Sequence, residues 1–448
     1  MASAALFGVV FVVHSLSPVR TPTDSAGTVP LATALVTERT FDVSSVLPRS
    51  VWHDNYLYEE HDGDVVTRYP LGSVVLAVPV VAAAEIVGID VRGRVAAGQT
   101  FEVLEAVLAS AVVALTSVVL FLVARRRLAR TVPALVLAVV FAFGTSAWST
   151  ASRALWQHGP VMLLCALALL ALVDAPGGPR SRESDGRPAM AVSTLRLLVA
   201  GACLGAAVWC RPVAVVELVV FATWAVVRYR GRGLWLTVAG LVPIAVLAVV
   251  GAVAFGDADP LRYPQAPVFS LDVITRGVAA GLFSPSRGLL VFTPVVLAAV
   301  VSVVVGVRRR TFGDLEVCSL VTAGALVAAA ACNPVWWGGF AYGPRLLTDL
   351  LPFVLVVCLP LAAYWPTTLR SLTPTGAAAL TVLAILTIWG VLVHARGALV
   401  EETWTWNSVP VSIDHDPDRA WDWSQPQFLA GSSLTGTAPV EEPPASGP

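Results

Sequence analysis

The stretch FEVLEAVLASAVVALTSVVLFLVARRR, residues 101–127, decides the fold of this chain. From Phe101 to Ala124 its only charges are Glu102 and Glu105, and it closes on Arg125-Arg126-Arg127. A helix needs about 17 to 25 mainly apolar residues to cross a hydrocarbon core ~30 Å thick, and basic residues gather at the cytoplasmic ends of such helices. The same composition runs through the whole chain. Of 448 residues, 56% are hydrophobic and 13% charged, where an ordinary soluble domain has about 25% charged residues. The mean hydropathy is +0.75. The expected fold class is an all-α polytopic membrane protein. A net charge of -1 with no basic domain gives nucleic acid no electrostatic footing.

Arginine clusters set the expected topology. They fall at Arg125 to Arg130, Arg180 to Arg187, Arg228 to Arg232 and Arg308 to Arg310. Placing all four in the cytoplasm requires an even number of crossings between neighbouring clusters. The apolar segments at about 131–147 and 158–174, 195–210 and 212–228, and 234–255 and 289–307 satisfy this. Further spans follow near 314–332, 346–364 and 375–394. Leu71 to Ile89 carries Pro79, and a full crossing there would deliver Arg125 to the wrong side. It therefore reads as a re-entrant or juxtamembrane helix, or as one arm of a hairpin. With the apolar run Ala2 to Ser15 and the span at 101–124, this predicts about eleven transmembrane helices within a domain covering 1–394. The N-terminus is expected inside, and the missing basic n-region argues against a cleaved signal peptide.

On this topology the small polar loops share the outer face. The first spans 18–69 and contains Tyr56 to Val66, where Asp62-Gly63 between strand-compatible residues predicts a hairpin. Short outer turns are expected at Trp148 to His158 and Asn333 to Arg345, and a longer loop from Gly256 to Arg287. The C-terminal tail lies outside, with a Trp-rich ordered part at 395–428 and a disordered Ser/Thr/Gly/Pro/Glu end at 429–448. The linker Pro176 to Pro188 is cytoplasmic. Six cysteines in or beside apolar segments, with no CxxC, read as small buried hydrophobes.

The chain has no Gly-rich phosphate loop, HExxH motif or Gly-x-Ser-x-Gly elbow. Chemistry must therefore come from scattered loop residues. Asp24 sits just beyond the first apolar segment, either as a reactive acid at the membrane rim or as an N-cap for a helix beginning near Thr28. The other candidates are Tyr69, Arg153, His158, Arg211, Arg287, Tyr342 and Arg345, most of them at outer ends of apolar segments. Snorkelling interface anchors would account equally for Arg287 and Arg345, and Trp336, Trp337, Trp404, Trp406, Trp421 and Trp423 fit an aromatic belt.

Several of these stand in a recognisable order: Thr23-Asp24-Ser25, Tyr69-Pro70-Leu71-Gly72, Leu155-Trp156-Gln157-His158-Gly159, Trp209-Cys210-Arg211-Pro212, Ser284-Pro285-Ser286-Arg287-Gly288, and Trp337-Gly338-Gly339 with Tyr342-Gly343-Pro344-Arg345. In this the chain resembles the GT-C class of membrane glycosyltransferases, near bacterial relatives of protein O-mannosyltransferases and aminoarabinose transferases. The resemblance implies a polyprenyl-phosphate sugar donor, a lipid, glycan or protein acceptor outside the bacterial cytoplasmic membrane, and Asp24 as general base. Many relatives carry an Asp-Glu pair, whereas Ser25 follows here, which leaves a two-acid or metal role without its second residue. The donor phosphate would fall to arginines, above all Arg287 and Arg345, whose planar forks pair with phosphate oxygens. His158, Arg153, Arg211, Tyr342 and Tyr69 complete the expected substrate-binding set. No cofactor is required on this reading; no outer acid cluster has ligand-like spacing, and metal dependence is left open.

A transporter or flippase of polyprenyl-linked glycans would also need many spans and outer arginines. It would be expected to carry mid-membrane ionisable groups and two matching halves. No repeat is visible, and only Glu102, Glu105 and Glu217 stand out as acids inside apolar runs. A non-catalytic membrane scaffold would leave the outer loops without a purpose.

Overall fold

The structure is a computed structural model describing residues 1–433 apart from 174–191, 260, 262, 264 and 367–372. Most of it is helix. In chain order the main elements are α1 (Ala2–Leu16), α2 (Thr28–Thr33), the strands β1 (Tyr58–His61) and β2 (Asp64–Thr67), α3 (Gly72–Ile86), α4 (Val91–Ala96), α5 (Glu102–Leu128), α6 (Thr131–Phe143) and α7 (His158–Leu172). They continue with α8 (Thr194–Cys210), α9 (Val215–Tyr229), α10 (Leu234–Phe255), α11 (Leu271–Phe283), α12 (Leu297–Arg308), α13 (Asp314–Ala331), the helical stretch Arg345–Ala362, and α14 (Pro374–Leu399).

Among the described residues, five stretches are long and apolar enough to cross a membrane: Glu102–Leu128, Pro212–Phe255, Asp314–Ala331, Arg345–Ala362 and Pro374–Leu399. Six shorter apolar helices accompany them. In hydrocarbon a backbone must satisfy its own hydrogen bonds, and helix does so within one segment. α5 also has its charges at favourable ends, with Glu102 and Glu105 in the first turn and Arg125 to Arg127 in the last.

Pro212–Phe255 is not one rod. Arg230 takes φ 53°, and Gly233 lies so close to the Ala225 carbonyl that a Cβ there would collide with it. The chain folds back at this point into the hairpin of α9 and α10. α10 then packs on α8 through Gly201 and Gly205, which rest directly on the backbone of Leu236 and Gly240. Small residues four apart allow two apolar helices this approach.

The arginine-bearing ends gather at one end of the bundle. Arg127 pairs with Glu316 at 2.9 Å and Arg228 with Asp314 at 3.1 Å, joining the ends of α5 and α9 to the start of α13. Arg130 donates to the Trp365 carbonyl at 2.7 Å. The cluster Arg180 to Arg187 and the linker Pro176 to Pro188 lie outside the described residues.

The first loop occupies the opposite end. β1 and β2 pair antiparallel with His61 opposite Asp64, and Asp62 and Gly63, at φ 51° and 97°, make the turn. This expected hairpin is a two-stranded exception to an otherwise helical chain. Gly72, at the start of α3, packs against Cys210. Farther along, Val74, Ala77 and Val81 join Val29, Leu31, Val43, Val91 and Val95 in one core. α3 thus packs along the first loop.

Two expectations need correction. The segment Gly256 to Arg287, read as a loop, contains the helix α11, started by the Ser270 hydroxyl accepting from Val273 N–H at 3.3 Å. Its apolar residues are too few for a span, which hid it from a hydropathy reading. The tail continues past the expected 428 boundary, with a 3-10 turn at Gln427–Leu429 and Ser432 N–H donating to Leu429 O at 3.0 Å. The part of the expected disordered end from 434 onward lies outside the described residues. All six cysteines are free, five of them buried.

Candidate active site

Asp24 sits on a tight turn closed by Thr23 N–H to Thr21 O at 2.9 Å and Ala26 N–H to Thr23 O at 3.1 Å. It does not cap α2, whose N-cap is Gly27 with no side-chain bond. Its carboxylate instead forms an ion pair with Arg345, accepts the Tyr69 hydroxyl at 3.0 Å and lies 3.5 Å from the Tyr56 hydroxyl. Burial and the neighbouring Asp24 charge raise both tyrosines above their ordinary range. They therefore remain proton-bearing donors at neutral pH. Tyr263 stands edge-on to Tyr69 at 6.2 Å and is raised chiefly by burial.

One buried acid holds the framework. Glu105 of α5 accepts from the Ser25 hydroxyl and, with the same oxygen, from Leu155 N–H at 3.4 Å. It thereby fixes the residues beside both Asp24 and Trp156. Trp156 in turn donates to Thr21 O at 2.7 Å and carries the Arg345 guanidinium 3.8 Å over its ring. Arg345 also reaches Gly338 O at 3.1 Å, across a turn in which Gly338 and Gly339 adopt φ 74° and 64°. A side chain would be strained at those angles.

A second pair adjoins the first. Asp349 lies four residues beyond Arg345 on the same 3-10 helix, Arg345–Leu350. It accepts from His158 Nδ1 at 2.8 Å and pairs with Arg211. Pro212 disfavours helix at the residue before it, so Arg211 is extended and ends α8. The Trp156 and His158 rings are 6.3 Å apart, joining the two pairs into one polar surface.

Burial distinguishes the two acids. The Asp349 side chain is 2% exposed and doubly tied, whereas Asp24 is 17% exposed. Removing one partner of a fully buried pair costs about 3–5 kcal/mol, so Asp349 is suited to holding Arg211 and His158 in place. Asp24 is the acid that a bound molecule can reach. Arg345 Nε has no partner, and Arg211 has bonds only through Nη1 among the described residues. Arg211 therefore keeps donor capacity for an anion, whereas the unbonded Nε of Arg345 is itself buried.

The remaining expected residues are engaged by protein groups, and Arg287 among them shares a pocket lining with Arg345, Trp336 and Trp337. Arg287 directs its Nε and both Nη groups at five acceptors: Trp337 O, Ser286 O, Gln427 Oε1, Gly339 O and Asn407 Oδ1. A guanidinium has five N–H groups, so this arginine ties the tail to the bundle and has none left for phosphate. Arg153 is wholly buried, donating to Trp148 O at 3.0 Å, Ser17 O at 3.0 Å and His14 O. It secures the end of α1. Tyr342 is also buried, its hydroxyl donating to Val393 O at 2.7 Å. Of the expected set, Asp24, Tyr69, Arg345, His158 and Arg211 converge.

Asp349 was missed because it lies within an expected span, where only Glu102, Glu105 and Glu217 stood out. Tyr56 and Tyr263 carry no local mark, since only folding brings their loops together. Among the described residues, no group of three or more His, Cys, Asp or Glu side chains is placed to hold a metal ion. No protein-family model matches the chain, and a search of curated proteins finds no match either.

Proposed function

We propose that this chain is a GT-C-type glycosyltransferase of the bacterial cytoplasmic membrane, moving a sugar from a polyprenyl phosphate to an acceptor on the outer face. The observation that carries this reading is the Asp24–Arg345 pair on Trp156, beside Arg211 and Asp349. The donor's singly charged phosphodiester, bridging Arg345 and Arg211, would supply a new partner for Arg345, and the same two arginines would meet the second charge that the phosphate gains as it leaves. Asp24, exchanged out of its ion pair but still positioned by Tyr69, then accepts the proton of the acceptor hydroxyl as that oxygen attacks the anomeric carbon. The bond from the anomeric carbon to the phosphate oxygen breaks, and the polyprenyl phosphate leaves with the electron pair.

The isoprenoid chain also has a suitable apolar groove. About 710 Å³ of space lies between α6, the stretch Arg345–Ala362 and α14. Thr145 lines it, and the adjacent Ser146 hydroxyl meets Thr348 at 2.9 Å, next to Asp349. Such continuity suits a lipid whose headgroup lies at the polar cluster. On the same reading α9 and α10 cross separately and the shorter apolar helices other than α3 also cross, making eleven spans with the N-terminus inside and the tail outside.

One observation favours a second reading, a carrier of polyprenyl-linked glycans. Glu217 is fully buried in α9 with both carboxyl oxygens unpartnered, the kind of intramembrane acid a carrier uses. Purified protein given a panel of labelled polyprenyl-phosphate sugars separates the two. The transferase cleaves one sugar from its lipid; a carrier leaves every donor intact.

A further inference from the structure

A polar cleft opens beside Asp24, on the first loop. It encloses about 350 Å³ between the Trp52-to-Tyr56 segment and the hairpin, within the roughly 300–1,000 Å³ typical of small-molecule sites. Tyr56 belongs to both places: it lines this cleft and its hydroxyl faces Asp24 at 3.5 Å. A molecule seated here would have one end at the candidate base.

The walls specify the chemistry of the occupant. Trp52 and Tyr56 offer aromatic surface, which packs against apolar faces and tolerates a polar rim. Asp54 and Glu60 are exposed carboxylates, which accept hydrogen bonds but cannot donate them when ionised. His53 bonds Asp54 through Nδ1 at 2.9 Å, and Arg68 pairs with Glu59 at 3.5 Å. Acidic groups outnumber the single arginine. This excess repels phosphates and uronic acids and suits a ligand rich in hydroxyl donors.

The turn that shapes the cleft is held firmly. Asp54 has φ 59°, a left-handed conformation uncommon outside glycine. Asn55 maintains it by donating to Val51 O at 3.0 Å and accepting from Leu57 N–H at 3.1 Å. The cleft is thus preformed.

The geometry points to a binding site for a neutral carbohydrate, serving as the glycosyl acceptor. Its role as acceptor rests on the transferase reading above, while saccharide binding can be measured without any transfer. The test uses the full chain in lipid nanodiscs. Saturation-transfer NMR and calorimetry would be run with methyl mannoside, methyl arabinofuranoside, mannobiose and maltotriose, with glucose 6-phosphate and glucuronic acid as anionic counterparts.

At least one neutral saccharide is expected to bind, and the anionic probes are not. Trp52→Ala and Glu60→Gln should each weaken binding about tenfold, the equivalent of one well-made contact, while Trp423→Ala on the exposed tail should not. Glu60→Gln alters only an exposed group and decides the matter alone if Trp52→Ala fails to fold. Absence of binding by every neutral probe, or unchanged binding in Glu60→Gln, overturns the inference. Saccharide binding with no cleavage of any donor would sustain the site and overturn the transferase reading instead. Donor cleavage and transfer without saccharide binding would do the reverse.

Discussion

Asp24 and Arg345 form one ion pair across 321 positions of sequence, joining the first loop to the start of the stretch Arg345–Ala362 over the face of Trp156. On the proposed mechanism the pair has two consequences: Arg345 holds the acid in place, and it blocks that acid until another anion takes the arginine.

Arg345→Lys tests the first member. Lysine keeps the charge but has neither the planar fork nor the flat stacking surface that meets Trp156. Donor affinity is expected to fall by about tenfold or more, as for a lost charge-assisted bond of about 1.5–3 kcal/mol, with the chain still folded. Titration of donor into the purified variant checks this, and wild-type affinity would reduce Arg345 to an interface anchor.

Tyr69 and Tyr56 are predicted to differ. Tyr69 donates to Asp24 at 3.0 Å and Tyr56 stands at 3.5 Å, at the edge of hydrogen-bond geometry. Tyr69→Phe should slow turnover by about tenfold, the worth of one hydrogen bond to a charged group, and Tyr56→Phe by less. Equal losses, or a larger one at Tyr56, would contradict the placement of the carboxylate.

Much of the architecture was legible in the sequence because bilayer chemistry is written locally. Arg125 to Arg127 closing a long apolar run and Asp62-Gly63 between strand residues each carry their own physical reason. The site was legible only in part. Asp24, Tyr69, His158, Arg211 and Arg345 stood out as polar groups at span ends, but that position describes Arg153 and Arg287 equally. What separates them is whether protein acceptors use up the guanidinium, which depends on contacts such as Arg287 to Asn407, 120 positions apart. Glu105 drew notice as a buried acid, but its role depends on Ser25 and Leu155 arriving from different loops.

Glu105 is a positioning residue on this account, and it gives a kinetic signature. Glu105→Ala releases Ser25 and Leu155 together, so turnover should fall by up to roughly 10²-fold, as small misplacements do, with little change in donor KM. Glu105→Gln retains an acceptor oxygen and should restore most of the loss. A folded Glu105→Ala protein with full turnover would remove it from the site.

The two ends of the bundle should be separable in intact cells. Ser45→Cys lies exposed in the first loop, and Arg309→Cys lies exposed at the arginine-rich end. An impermeant thiol reagent is expected to label the first and spare the second, against a low background from native cysteines that are buried or half-buried. The opposite pattern would invert the orientation and place Asp24 inside.

The most direct measurement is transfer by Asp24→Asn, made together with expression, thermal stability and donor binding. Asparagine keeps the size of the side chain and an oxygen for the Tyr69 hydroxyl, but it cannot take a proton. The variant is expected to fold and bind donor while turnover falls by roughly 10² to 10⁴, the usual contribution of a general base. A folded Asp24→Asn protein that binds donor and transfers sugar at the wild-type rate would contradict the account.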